Sequence, residues 1–137
     1  MAFAIAAIAG LGASCATTPT GAPSESPLGA NFDVRVGQAV QITGETLTVT
    51  FERVAEDSRC PTNVKCVWEG DAVVRLALQG QKAERGTLNL HTQANAQREA
   101  AFQVYRVRLV QLVPWPKDSG GIPAETYVAT LNVTRSP

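Results

Sequence analysis

Between Thr46 and Val54 the chain alternates polar and apolar side chains with a period of two. Leu47, Val49 and Phe51 fall on one side, and Thr46, Thr48, Thr50 and Glu52 on the other. Successive side chains of an extended segment point to opposite faces, whereas a helix would scatter these apolar groups around its circumference. The segment is a half-buried strand, and a strand of that kind needs a second layer to cover its apolar face.

The same period recurs along the chain. Val34 and Val36 alternate with Asp33 and Arg35, and a strand over 38–42 follows Gly37, where a bulge or kink is expected. Thr43-Gly44-Glu45 is a turn. Val74, Leu76 and Leu78 share one face, as do Leu88 and Leu90, and later Tyr127, Ala129, Leu131 and Val133. The stretch 102–113 reads as one long strand whose apolar face switches near Leu109, the mark of a bulge. Polar 92–100 is a loop or one or two helical turns, and Pro114-Trp115-Pro116 ends the strand before it, because proline cannot continue a central ladder. No heptad, internal repeat or long amphipathic helix appears. Short strands separated by turn chemistry predict an all-β fold: a small antiparallel β-sandwich of immunoglobulin-like type with one local disulfide, or alternatively a small β-barrel.

The stretch 56–71, EDSRCPTNVKCVWEGD, breaks the alternation. Asp57, Ser58, Pro61 and Asn63 are turn formers, and Cys60 and Cys66 stand in C-x5-C spacing. A strand resuming at Cys66 would set Cys66 and Trp68 on one side, so the indole is expected to pack beside the sulfurs. Arg59, Pro61, Asn63, Lys65, Trp68 and Trp115 form the possible binding surface, since Trp and Arg dominate recognition sites. Trp115, bracketed by prolines, is expected to cap the sandwich edge, partly buried.

Residues 1–14 carry no charge and are mostly Ala, Ile, Leu and Gly. That run is too short to span a bilayer and suits the apolar region of an export signal. Cys15 follows at once, and 16–30 are rich in Thr, Pro, Ser and Gly, a composition that reads as a flexible tether. Signal, cysteine and spacer together resemble a bacterial lipoprotein precursor. The resemblance implies that Cys15 becomes the acylated N-terminus and ties the protein to the membrane of the cell envelope through an N-terminal lipid. The alternatives are a secreted form cleaved near Ala13, Ser14 or Ala16, and a chain that is not exported. On the first reading the domains are 1–14 signal peptide, 15–30 lipidated cysteine and tether, and 31–137 β-sandwich.

With Cys15 set aside, two of the three cysteines remain, and an oxidising compartment lets Cys60 and Cys66 pair. A metal site is the rival, yet two cysteines and the lone His91 fall short of the usual four ligands. C-x-x-C redox spacing is absent. Glu56, Asp57, Glu69 and Asp71 could converge on Ca²⁺, but EF-hand spacing is missing and Arg59 and Lys65 neutralise the same acids. No metal and no cofactor is assigned. Twelve basic and twelve acidic side chains cancel, so the basic footprint that nucleic acid requires is lacking. His91, on a short strand before a polar loop, is expected to be a solvated surface residue, and no catalytic set is assigned.

At DSRCPTNVKCVWEGDAVV, residues 57–74, the chain resembles an uncharacterised group of bacterial lipoproteins and secreted β-proteins. Its members carry Asp-Ser-Arg-Cys-Pro, a second cysteine, then Trp-x-Gly. YRVRLVQLVPWP, residues 105–116, and the closing strand from Tyr127 also look like that group. The resemblance implies an exported β-domain with a disulfide loop and brings no activity with it. The expected function is that of a non-enzymatic envelope lipoprotein whose β-domain binds an unknown protein or small ligand or plays a structural part. A secreted inhibitor or ligand-binding protein using the Cys60–Cys66 loop is the alternative.

Overall fold

Period-two segments pair into two sheets in the computed structural model, which describes residues 10, 12 and 24–137. Nine strands follow in order: β1 Ser24–Ser26, β2 Asn31–Arg35, β3 Ala39–Ile42, β4 Thr48–Asp57, β5 Ala72–Gln79, β6 Arg85–His91, β7 Glu99–Phe102, β8 Tyr105–Val113 and β9 Val128–Arg135. One sheet has the order β1-β3-β4-β5-β6 and the other β2-β9-β8-β7. The fold is thus a β-sandwich, and the barrel alternative does not hold because neither sheet closes on itself. Every strand pair is antiparallel except β1 with β3.

The core lies where the inner faces meet. Ile42, Val49, Phe51, Val74, Leu76 and Leu90 come from one sheet, and Val34, Tyr105, Val107, Leu109, Leu131 and Val133 from the other; all are fully buried. These are the alternate positions that the sequence pattern selects. The face switch in β8 is a register shift between Leu109 and Gln111 opposite β9, after which Leu112 rather than Gln111 turns inward. At Gly37, with φ +83°, the expected kink is a crossover: β2 belongs to one sheet and β3 to the other.

Two expectations are corrected. The strand expected over 102–113 begins only at Tyr105, because Phe102 ends β7 and the two strands form a hairpin turning at Gln103, whose φ is +53°. Residues 24–30, assigned to the tether, belong to the sandwich: Ser24–Ser26 pairs with Val40–Ile42, Ser26 is buried and Leu28 packs on the core. Ser-Glu-Ser offers no apolar alternation, but backbone pairing does not need it.

Strand direction defines two poles. β4, β8 and β2 run toward one of them; β5, β9, β3 and, by its parallel pairing, β1 run away from it. That pole, called the loop pole, therefore collects the 58–71 connection, Asp71, His91, Trp115 and Tyr127.

Candidate functional site

The loop pole is built around one buried arginine. β4 delivers Asp57, and Arg59 two residues on folds back so that its Nε and one terminal nitrogen clasp the two Asp57 carboxylate oxygens at 2.8 and 2.7 Å. The guanidinium also donates to the carbonyls of Leu112 and Pro114, each at 2.9 Å, and lies 4.9 Å from the centroid of the Trp115 ring. Tyr127 completes the cluster, its hydroxyl donating to Asp57 at 2.7 Å. Arg59 is only 3% exposed, which corrects its assignment to a binding surface. Its rigid fork of five donors suits a bidentate carboxylate and two carbonyls, so burial leaves few donors without a partner.

Burial alone would raise the Asp57 pKa, but the hydrogen bonds from Arg59 and Tyr127 and the charge of Arg59 outweigh it and hold the carboxyl below its ordinary value. Tyr127 is pushed up to about 12, first by burial and then by its hydrogen bond to Asp57 and that group's charge. A lowered carboxyl stabilises the fold above its unfolded pKa, and that contribution is lost as pH falls through the folded value. A raised phenol stabilises below its unfolded pKa, and that contribution is lost as pH climbs toward about 12. The melting temperature should therefore fall below about pH 4 and again above about pH 10, and Tyr127→Phe should shrink the alkaline limb, to which the raised phenol of Tyr105 also contributes, while weakening the acid limb through the hydrogen bond lost to Asp57. Identical alkaline limbs in parent and variant would contradict the assignment.

The connection itself is a narrow neck ending in a covalent ring. The Ser58 amide donates to the Asp71 carbonyl at 2.7 Å, and that of Cys60 to the Glu69 carbonyl at 3.1 Å. Gly70 carries φ +74° in that neck. Cys60 and Cys66 are joined, with Cα atoms 5.9 Å apart. Closing so small a ring removes about 2 kcal/mol of unfolded-state freedom. The ring is fastened to the segment after β8: Trp115 Nε1 donates to the Cys60 carbonyl at 2.7 Å and the Thr62 amide to the Pro116 carbonyl at 3.0 Å.

Trp68 does not pack on the disulfide. It is 82% exposed, and Val67 beside it 93%. The expectation assumed a strand from Cys66, but β5 begins at Ala72, so the two-residue alternation does not apply to 66–71. Asn63 and Lys65 are exposed and Pro61 half-buried. Trp115 is 43% exposed, held by its two contacts to the loop.

Asp71 caps the end of β6. One carboxylate oxygen accepts from the amides of Thr92 and Gln93, both at 3.0 Å, and the other binds His91 Nδ1. His91 is therefore half-buried and tied down rather than free in solvent. Desolvation works against the Asp71 charge, but the hydrogen bonds from His91 and from the Gln93 amide prevail and lower its pKa. With Asp57 and Asp71 engaged in this way, the convergence of acids considered for Ca²⁺ does not form. Among the described residues no group of three His, Cys, Asp or Glu side chains comes together.

Between the neck and β8 lies an open cleft of about 310 Å³, lined by Glu69, Gly70, Gln93, Arg98, Leu112 and Trp115 among others. Arg98 donates to the Val110 carbonyl, freed by the β8 register shift, at 2.9 Å, while its buried Nε has no partner in the protein. From sequence, Asp57 stands out only as a turn former and one of the acids weighed for Ca²⁺, Tyr127 only as a strand-face residue, and Arg98 not at all. The nearest signal is the Asp-Ser-Arg order before Cys60, which places a cation two residues from a strand-ending acid. Cys15 lies outside the described residues.

Neither a protein-family model, nor a curated protein, nor a solved structure matches the chain. What the pole does is thus argued from its own residues.

Proposed function

We propose that the chain is a non-enzymatic lipoprotein of the cell envelope, anchored by a lipid on Cys15, whose β-sandwich presents the disulfide loop as a binding element. One observation carries this reading: Val67 and Trp68 are left bare on a loop that is otherwise fixed at every level. The ring is closed by a disulfide, its neck is hydrogen-bonded, and its flank is tied to Pro116 and Trp115. A fixed loop loses little freedom on binding, so its exposed apolar pair contributes more of its burial to affinity. Tryptophan is also the side chain most enriched where binding energy concentrates. The polar groups of the pole support a recognition role over catalysis, because they are engaged in two separate pairs, His91 with Asp71 and Arg59 with Asp57, that hold the architecture.

The test is the N-terminus of the mature protein. Mass spectrometry of the membrane fraction should find Cys15 acylated, and Cys15→Ser should move the protein out of the detergent-rich phase on phase separation. A soluble mature form beginning near Ser14 or Ala16 would replace this reading with that of a secreted inhibitor or ligand-binding protein using the same loop.

A further inference from the structure

The chain enters the sandwich heading away from the loop pole. β1 has its start nearest that pole and runs parallel to β3, away from it. The C-terminus leaves at the opposite pole, where the Ser136 amide donates to the Val104 carbonyl beside the β7–β8 turn.

Two lengths then match. Cys15 precedes Ser24 by nine residues, a reach of at most ~30 Å at ~3.3–3.6 Å per residue. Ser24 sits in the row of Val40, which pairs with Val49. From Val49 the chain runs through β4 to Cys60, eleven residues on, or ~35 Å at ~3.2–3.4 Å per residue, shortened by the two register shifts of β4. At full stretch these nine residues are long enough for Cys15 to come level with the disulfide ring.

At that level stand Val67 and Trp68, 93% and 82% exposed, with Val64 at 48%. Lys65 and Glu69 flank them with opposite charges, so the patch is apolar and nearly neutral. An indole on an apolar loop is suited to the boundary between headgroups and acyl chains. We infer that Val67 and Trp68 insert into the interface of the same bilayer that holds the lipid on Cys15, laying the loop pole on the membrane. This rests on the anchoring proposed above and names the occupant of the loop as phospholipid. Because no basic cluster surrounds the patch, contact with uncharged phosphatidylcholine suffices and salt does not weaken it.

The test uses the full acylated protein reconstituted into phosphatidylcholine vesicles with brominated or plain acyl chains. Subtracting the emission of Trp68→Phe isolates Trp68 from Trp115; the exposed position lets the variant keep the fold. Bromine should quench the Trp68 share by about half or more, equally at low salt and at about 0.5 M salt. Equal Trp68 emission in the two vesicle types, with the protein co-floating with them, would overturn the inference and leave the anchor standing. So would quenching that vanishes at high salt, or a Trp68 signal that answers to added murein but not to lipid. A protein that does not co-float and lacks an acylated Cys15 would remove the anchor, and the inference with it.

Discussion

Arg59→Ala should lower the unfolding free energy by about 3–5 kcal/mol, the range for removing one partner of a buried ion pair. The loss has three parts. Asp57, its side chain only 11% exposed, would keep a charge without its bidentate partner. The Leu112 and Pro114 carbonyls would each lose a donor, and Trp115 the cation over its ring. Arg59→Lys should recover little, because a compact ammonium cannot span a carboxylate and two carbonyls at once. Urea denaturation of the three proteins decides the matter. A loss under about 1 kcal/mol for Arg59→Ala, the size typical of an exposed pair, would mean that the guanidinium is a surface group after all.

Gly70→Ala should cost about 3 kcal/mol, combining a left-handed backbone with a steric clash. At Gly70 a Cβ would lie 1.9 Å from the Ser58 carbonyl oxygen and 2.9 Å from the Arg59 Cα, both backbone atoms that cannot swing aside. The neck would have to open, which strains the Ser58–Asp71 and Cys60–Glu69 hydrogen bonds. Gly37→Ala is the matched comparison, since its φ is +83° and a Cβ there meets nothing within 4 Å. It should cost only the conformational part, about 1 kcal/mol. Equal losses at the two positions, by chemical denaturation, would show that the neck tolerates the added methyl.

Alternation made much of the sandwich legible. β4, β5 and β9 sit where the apolar positions repeat every second residue, and even the β8 register shift was visible as a change of face near Leu109. The β7–β8 turn was hidden because Gln103 and Val104 carry none of the usual turn chemistry and Val104 extends the apolar run. β1 was hidden for the opposite reason: its three residues have no apolar member, and only their backbone groups take part.

At the pole the limits were of another kind. Arg59 was read as a surface group because charged side chains are mostly exposed. Its burial depends on Leu112, Pro114, Trp115 and Tyr127, more than fifty residues away, which no local pattern brings together. Trp68 was misplaced because a period of two was carried into a segment that is not a strand. The disulfide was legible, since with Cys15 set aside the two remaining cysteines have a single way to pair.

The brevity of β1 has a bearing on how the sandwich remains single. β3 would otherwise end its sheet with a row of unpaired amides and carbonyls, a template on which another copy could add a strand. Three residues of Ser-Glu-Ser shield that row, and they themselves offer a rim too short and too polar to recruit a neighbour. A protein begun at Asn31 would keep the core yet lose this guard, and its freshly bared border would invite self-association.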